Sequence, residues 1–253
     1  MDKFPTIKQS PNPVASYIEC SRQQLERDNL VHLDMRISPP EQESLDRIHI
    51  EQEVAPFNSY GPVTEGLVPR LAEYLSAMGR NDRADIEHVA AIIYRLASGV
   101  QTGFRKDASW VTVRISLPTS AFDIPRWHPD GGYFRTEVKT YKLVATLRGD
   151  QTLFGKVADQ EAYRQLEEAE RENRTRNQDD PDALEAEDMR IRKELAHIIE
   201  PINAPHTGEA TVYLVGDEDA VIHSEPPIRE PRIFVSVLPG SREQIGEWRA
   251  RSE

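Results

Sequence analysis

The spacing of apolar residues changes near residue 108. In the segment "LVPRLAEYLSAMG", which ends at Gly79, apolar residues recur every three or four positions, as on one face of a helix. They are Leu67, Leu71, Leu75 and Met78. The segment "ADIEHVAAIIYRLASGV" has the same spacing, and Asp82 or Asp85 could cap its first turn. Residues 1–107 are therefore predicted to be mostly helical, with "VASYIECSRQQLERD" as a further helix and "ISPPEQESLDR" as a loop.

Beyond residue 108, apolar and polar residues alternate, which is typical of strands. In "WVTVRISLP" one face would carry Val111, Val113, Ile115 and Leu117, and the other Trp110, Thr112, Arg114 and Ser116. Four further short segments read as strands: "KTYKLVATLRG", "GEATVYLVGD", "AVIHSE" and "PRIFVSVLPG". Short strands at regular spacing favour a sandwich or barrel over alternating βαβ units. The pattern predicts a mainly β core with flanking helices.

A polar segment separates the two groups of strands. Residues 158–199 read as two helical pieces joined at "NRTRNQDDPDA", and they carry 13 acidic and 7 basic residues, half of the net charge of the chain. Two interpretations stay open: a solvated helical hairpin inserted in a loop, or a lid over a site, since long insertions in compact domains are often functional.

Composition limits the class of protein. The net charge of −12 argues against general binding to a nucleic-acid backbone, which needs a basic surface. The single cysteine, Cys20, excludes an intramolecular disulfide and a cluster of thiolates. The N-terminal residues lack the apolar stretch of a signal peptide, and no apolar run approaches the roughly 18 residues of a membrane span. We therefore expect a soluble, cytoplasmic protein with no membrane partner.

The segment "FDIPRWHPDGGYF", residues 122–134, carries the first candidate chemistry. A turn would use Pro-Asp-Gly for its shape alone. On an extended segment, however, His128 and Asp130 would point to the same face and could bind one metal ion together. Both interpretations of this short motif stay open at this point.

Two residues far downstream complete a possible site. His223 lies on or just after the short strand "AVIHSE", and distant strands can be neighbours in an antiparallel barrel. Two histidines and one carboxylate on one side of a metal form the facial triad of non-haem Fe(II) oxygenases. Arg232 follows nine residues later, at the start of the strand "RIFVSV", and there it could bind a carboxylate with two parallel hydrogen bonds. Arg229 is nearer along the chain but less well placed.

The order His-X-Asp, a long gap, His and then Arg resembles the Fe(II)/2-oxoglutarate-dependent oxygenase superfamily. The resemblance covers roughly residues 108–240, and the same segments are similar to a bacterial and fungal family with this layout. It implies a double-stranded β-helix, or jelly roll. One domain would span 1–253, with a mostly helical N-terminal part (1–107), a β core (108–157 and 206–240) and a helical insertion (158–205).

The resemblance also implies the roles of the site residues. His128, Asp130 and His223 would bind Fe(II), and Arg232 would pair with the C5 carboxylate of the co-substrate 2-oxoglutarate. With O2, such a dioxygenase would oxidise an unactivated C–H bond by hydroxylation, desaturation or oxidative cyclisation.

The substrate is the least defined part of this interpretation. Arg114 or Arg135 could bind a carboxylate of a small molecule such as an amino acid, although both could equally form surface ion pairs. Two other classes stay open: a cupin-like dioxygenase that uses the metal alone, which leaves Arg232 without a ligand, and a non-catalytic jelly-roll binding module, which needs no metal.

Overall fold

A computed structural model describes residues 12–135, 138–202, 204–216 and 219–252. Its helices are α1 (Pro13–Cys20), α2 (Arg22–Asp28), α3 (Pro39–Arg47), α4 (Leu67–Ser76), α5 (Arg83–Gly103), α6 (Gln160–Arg176), α7 (Pro181–Ile198) and α8 (Arg242–Ser252). Its strands are β1 (Leu30–Asp34), β2 (Val54–Gly61), β3 (Ala108–Ser116), β4 (His128–Pro129), β5 (Thr140–Arg148), β6 (Leu153–Val157), β7 (Ile199–Ile202), β8 (Glu209–Val215), β9 (Ile222–Ser224) and β10 (Arg232–Gly240).

The strands form two antiparallel sheets. The large sheet has the order β1-β8-β5-β10-β3-β2, and the small sheet has the order β4-β9-β6-β7. From β3 onwards the chain moves back and forth between the sheets, because β3, β5, β8 and β10 belong to the large one and the strands between them to the small one. The predicted antiparallel β core with flanking helices is thereby confirmed.

The two faces of the large sheet have different roles. On the outer face, Val111, Val113 and Ile115 of β3 are buried against helices α1–α5 in the main hydrophobic core, as their alternation predicts. The inner face looks towards the small sheet, where the rings of Tyr213 and Phe154 lie 5.4 Å apart between centroids. Polar residues on this inner face are therefore held between the sheets.

The helices of the N-terminal part follow the sequence closely, with one correction. The four apolar residues predicted on one face of the α4 segment are all buried. Asp82 caps α5 by accepting a hydrogen bond from the backbone of Ala84. The predicted loop "ISPPEQESLDR" is wrong, because residues 39–47 form α3. Ser38 and Glu41 cap each other's backbone there, and a proline in the first turn suits a helix start.

The insertion is also helical, and it is packed. Helices α6 and α7 pack against the face of the small sheet that carries Ile199 and Ile222. Their few apolar residues form a cluster with that face, made of Trp127, Tyr163, Ile191, Leu195, Ile199 and Ile222. The last strand of the small sheet, β7, lies within the range predicted as insertion. Among the described helices, none has the length and apolar character of a membrane span.

Two glycines of α5 allow α1 to approach closely. A Cβ atom on Gly99 would lie 2.6 Å from the Cβ of Val14, and one on Gly103 would lie 2.9 Å from the Cβ of Ile18. We expect Gly99→Ala to lower the free energy of unfolding by about 1–3 kcal/mol, because α1 must shift away. Urea denaturation measures this. The control is Gly246→Ala in α8, where nothing lies within 4 Å and a gain of about 0.5–1 kcal/mol is expected. Equal effects at the two positions would contradict the prediction.

Candidate metal centre

His128 and His223 lie opposite each other on the paired strands β4 and β9. Their ring centroids are 4.6 Å apart. The Nδ1 atom of His128 donates to the carbonyl oxygen of Arg126 at 2.7 Å, and Nδ1 of His223 lies 3.4 Å from the carbonyl oxygen of Val221. A carbonyl oxygen accepts hydrogen bonds, so these contacts favour a proton on Nδ1 and leave Nε2 as the nitrogen that can bind a ligand.

Asp130 follows β4 directly and joins the two histidines. Its Oδ2 atom lies 3.8 Å from Nε2 of His223. One ligand atom from each of the three residues lies within 4.8 Å of the other two, and within the described part of the chain this is the one such group of His, Cys, Asp and Glu side chains. The alternation that places residues 128 and 130 on one face therefore produces a cluster with the geometry of a metal site.

Three donors hold the carboxylate of Asp130. The hydroxyl of Tyr133 donates to Oδ1 at 2.6 Å, and the hydroxyl of Tyr213 donates to Oδ2 at 2.7 Å. The ammonium group of Lys142 donates to Oδ2 at 3.0 Å. Burial alone would raise the pKa of Asp130, but Lys142, His223 and the two tyrosine hydroxyls together lower it below its usual range. Asp130 is therefore ionised at neutral pH.

The charge state of His223 suits a metal ligand. Burial lowers the pKa of His223 to about 4, because the charged imidazolium loses its hydration between the sheets. The imidazole is thus neutral at physiological pH and keeps its Nε2 lone pair. Two imidazoles and one carboxylate fit a divalent iron ion and leave several of its coordination positions open.

Arg232 lines the same cavity as the three clustered residues. Its side chain is 4% exposed, and it donates to the carbonyl oxygen of Asp150 and to the hydroxyls of Thr146 and Thr152 at 2.9–3.2 Å. Burial lowers the pKa of Arg232 to about 10, so the guanidinium stays charged at neutral pH. Among the described residues no carboxylate lies within 4 Å of it. A buried cation without a paired carboxylate is a candidate site for an anionic ligand.

The other predicted arginines differ in position. Arg229 is exposed, and Arg135 is exposed and does not line the cavity. Arg114 lines it, with Nη1 3.6 Å from Oε1 of Glu225. Oε2 of Glu225 is buried without a hydrogen-bond partner. The structure therefore brings Arg114 and Arg232 to the three clustered residues, and leaves Arg229 and Arg135 outside.

The sequence analysis gave no role to Lys142, Tyr213 and Glu225, which line the cavity, or to Tyr133, which donates to Asp130. A weak signal was present for one of them. Lys142 interrupts an apolar strand, and a charged residue in a strand that is buried on both faces needs a partner between the sheets. The cavity itself is small, about 60 Å³, or roughly the volume of two water molecules. Side chains must move before a larger ligand can enter.

A larger groove adjoins the site from the side of the insertion. It has a volume of about 350 Å³ and lies between the segment 126–129 and helices α6 and α7. His128 lines both this groove and the small cavity. Its other charged lining residues include Arg126, Glu167 and Arg192, so the groove suits a polar molecule. The insertion therefore contributes side chains close to the metal centre.

No protein-family profile and no curated protein matches the chain. Solved structures match it at low identity. The rice dioxygenase for auxin oxidation has 11% identity and a TM-score of 0.46, over 89% of this chain and 78% of the other. A prolyl-4-hydroxylase from Pseudomonas putida has 12% identity and a TM-score of 0.38, over 90% and 98% of the two chains. AviO1 from Streptomyces viridochromogenes has 12% identity and a TM-score of 0.40, over 87% and 94%. At this level of similarity, function must be argued from the site itself.

Proposed function

We propose that the protein is a non-haem Fe(II)- and 2-oxoglutarate-dependent dioxygenase. It would oxidise an unactivated C–H bond of a small molecule, with amino acids as the first candidates, by hydroxylation, desaturation or oxidative cyclisation. One observation carries the proposal: two imidazoles and a carboxylate converge within 4.8 Å, and a buried guanidinium without a carboxylate partner lines the same cavity. A metal site with an adjacent anion site is what this chemistry requires.

The proposal includes the architecture. We infer that the two sheets form a jelly roll within a single domain, because successive strands from β3 to β10 pass between them and polar residues meet in the space they enclose. The insertion would border the substrate groove, since helices α6 and α7 line it beside His128.

Each residue of the cavity has a role in this proposal. His128, Asp130 and His223 would bind Fe(II), which supplies the activation of O2 when bound. Arg232 would bind the C5 carboxylate of 2-oxoglutarate, because its planar guanidinium can donate two parallel hydrogen bonds to a carboxylate. The burial of this pair would strengthen it, since water no longer competes for the donors.

The substrate side of the proposal rests on Arg114 and Glu225. Arg114 lies at the cavity with half of its side chain exposed, so it can reach a carboxylate that arrives from solvent. Oε2 of Glu225 is buried without a partner and would accept a hydrogen bond from an ammonium group. A cation and an anion 3.6 Å apart match the two ends of an amino acid. Arg135, outside the cavity, has no part in this assignment.

The two other classes are less well supported. A dioxygenase that uses the metal alone leaves the buried charge of Arg232 without a ligand, and a binding module has no need of two imidazoles clustered with a carboxylate. The role of Arg232 therefore separates the first alternative from the proposal, and metal binding separates the second.

Release of succinate tests the proposal. We expect the purified protein to form succinate from 2-oxoglutarate slowly when Fe(II) and O2 are supplied, and faster when a pool of amino acids contains the substrate. His128→Ala is the matched control and should form none. Succinate can be measured by mass spectrometry. A protein that binds Fe(II) but forms no succinate with any candidate would refute the role of 2-oxoglutarate and favour the metal-only alternative.

A further inference from the structure

The proposed function leaves the buried cation Lys142 without a role. Its side chain, on β5 of the large sheet, is 10% exposed and lines the cavity that holds the metal triad, defined as His128, Asp130 and His223. Its Nζ atom donates to Oδ2 of Asp130 at 3.0 Å and to the hydroxyl oxygen of Tyr133 at 3.1 Å. An ammonium group thus lies directly against a proposed ligand of a divalent cation.

Lys142 and a metal would use the same oxygen atom. A carboxylate oxygen has two lone pairs, and Oδ2 of Asp130 already accepts from Tyr213 at 2.7 Å and from Lys142 at 3.0 Å. Oδ2 is also the oxygen that lies 3.8 Å from Nε2 of His223, so a metal shared with His223 would bind there. One of the two donors must therefore leave Oδ2 when a metal binds. Repulsion between two cations selects Lys142.

The charges of the cavity show what Lys142 could bind afterwards. Its lining carries three cations (Arg114, Lys142, Arg232) and two anions (Asp130, Glu225), so these five groups give it an excess of one positive charge. A divalent metal raises this excess to three. The dianion 2-oxoglutarate would cancel two of these charges, which leaves one for an anionic group of the substrate. The released ammonium lies at the metal end of the cavity and has three N–H donors.

We propose that Lys142 is an exchangeable internal cation: it holds Asp130 before the metal binds, yields Oδ2 to the metal, and then binds the carboxylate beside the 2-oxo group of the co-substrate. This assignment rests on the proposed function. It gives the two carboxylates of 2-oxoglutarate separate cations, Lys142 at the metal end and Arg232 at the other end.

The first test measures the binding of Mn(II), a probe that needs no O2, by isothermal titration calorimetry. Lys142→Met should bind Mn(II) more tightly than the unmodified protein, because a competing cation has been removed. Tyr133→Phe is the matched control: it removes a donor to Asp130 without a change in charge, so it should not tighten binding. Lys106→Met removes an exposed positive charge and should have no effect. Weaker binding by Lys142→Met would mean that Lys142 merely supports Asp130, as outer donors of metal sites do, and would overturn the proposal.

The second test compares two 2-oxo acids on the Mn(II)-loaded protein. Pyruvate has only the carboxylate beside the oxo group, whereas 2-oxoglutarate has both. Lys142→Met should weaken the binding of both acids by about tenfold to a hundredfold, the usual effect of losing a hydrogen bond to a charged group. Arg232→Met should weaken the binding of 2-oxoglutarate but not the binding of pyruvate. If Lys142→Met left the affinity for pyruvate unchanged, the anion-binding role would be refuted.

Folding and metal binding are controlled separately. Circular dichroism checks Lys142→Met, and Lys142→Gln provides a second neutral variant that keeps a hydrogen-bond donor. If neither variant folds, Lys142 is indispensable to the structure and is not exchangeable, which overturns the proposal. Failure of the unmodified protein to bind Mn(II) would instead refute the proposed function, and the role of Lys142 with it. The two failures are therefore distinguishable.

Discussion

Loss of metal binding is the expected result of His128→Ala and of His223→Ala. Each substitution removes one of three ligands, so we expect the affinity for Fe(II) or Mn(II) to fall by more than about a hundredfold, beyond what the loss of an outer-shell partner causes. His128 is only half-buried, and its variant should keep the fold. His223 packs against Tyr213 and Phe154, so its variant should lose some stability as well. Metal content and circular dichroism on the purified variants measure both effects.

Asp130 needs a milder substitution. Asp130→Ala would leave the ammonium of Lys142 buried without its counter-charge, which typically costs about 3–5 kcal/mol of stability. Asp130→Asn keeps the shape and should abolish metal binding with a smaller loss of stability. His206→Ala is the control, because His206 is an exposed loop residue outside the cluster, and its metal content should be unchanged. Full iron content in the His223 variant would refute the assignment of the triad.

Arg232→Ala should weaken the binding of 2-oxoglutarate far more than the binding of any other ligand. The loss of one partner of a buried, hydrogen-bonded charge pair costs about 2–5 kcal/mol, or roughly 30-fold to several thousand-fold in affinity. Arg232→Lys should recover only part of this, because an ammonium lacks the planar pair of donors. Metal binding should survive in both variants, since arginine is not a ligand. Calorimetric titration of the Mn(II)-loaded protein with 2-oxoglutarate measures the change.

Arg229 supplies the matched control for Arg232. It lies three residues away and carries the same charge, but it is exposed. Arg229→Ala should leave the affinity for 2-oxoglutarate within about twofold of the unmodified protein, since exposed charges contribute little. Equal losses in the two variants would show that long-range charge, and not a specific contact, binds the co-substrate. An unchanged affinity in Arg232→Ala would shift support to the metal-only dioxygenase.

Part of the site could be predicted because some of its residues lie close together along the chain, on one strand or at its start. His128 and Asp130 share a face by strand alternation alone, and the position of Arg232 at the start of its strand follows from the pattern of "RIFVSV". The contact between His128 and His223 could not be derived in this way. It depends on the register of β4 and β9, which pairs His128 with His223 although the two residues are 95 positions apart along the chain. Lys142 was missed for the same reason, since its partner lies on a different sheet.

The helices and strands also differ in how well the sequence predicts them. Helices α4 and α5 have long stripes of apolar residues, so their period identifies them. Strands β4 and β7 have two and four residues, too few for any alternation to be recognised. The two prolines of α3 suggest a loop, although prolines are favourable in a first helical turn. The insertion has few apolar residues, and their pattern gives no indication that they are buried against the small sheet.

The site residues are divided between the two sheets, and this affects which length of co-substrate the site can accept. The metal triad belongs to β4, the residue that follows it and β9 of the small sheet, whereas Lys142 and Arg232 belong to the large sheet. Under the proposed function, the packing of the two sheets therefore sets the distance from iron to the distal carboxylate. The contact of Phe154 with Tyr213 is part of this packing, and no single loop determines the distance. Discrimination between dicarboxylic acids that differ by one carbon would then be a property of the spacing of the two sheets. A substitution at Phe154 would change this spacing without removing a metal ligand or Arg232.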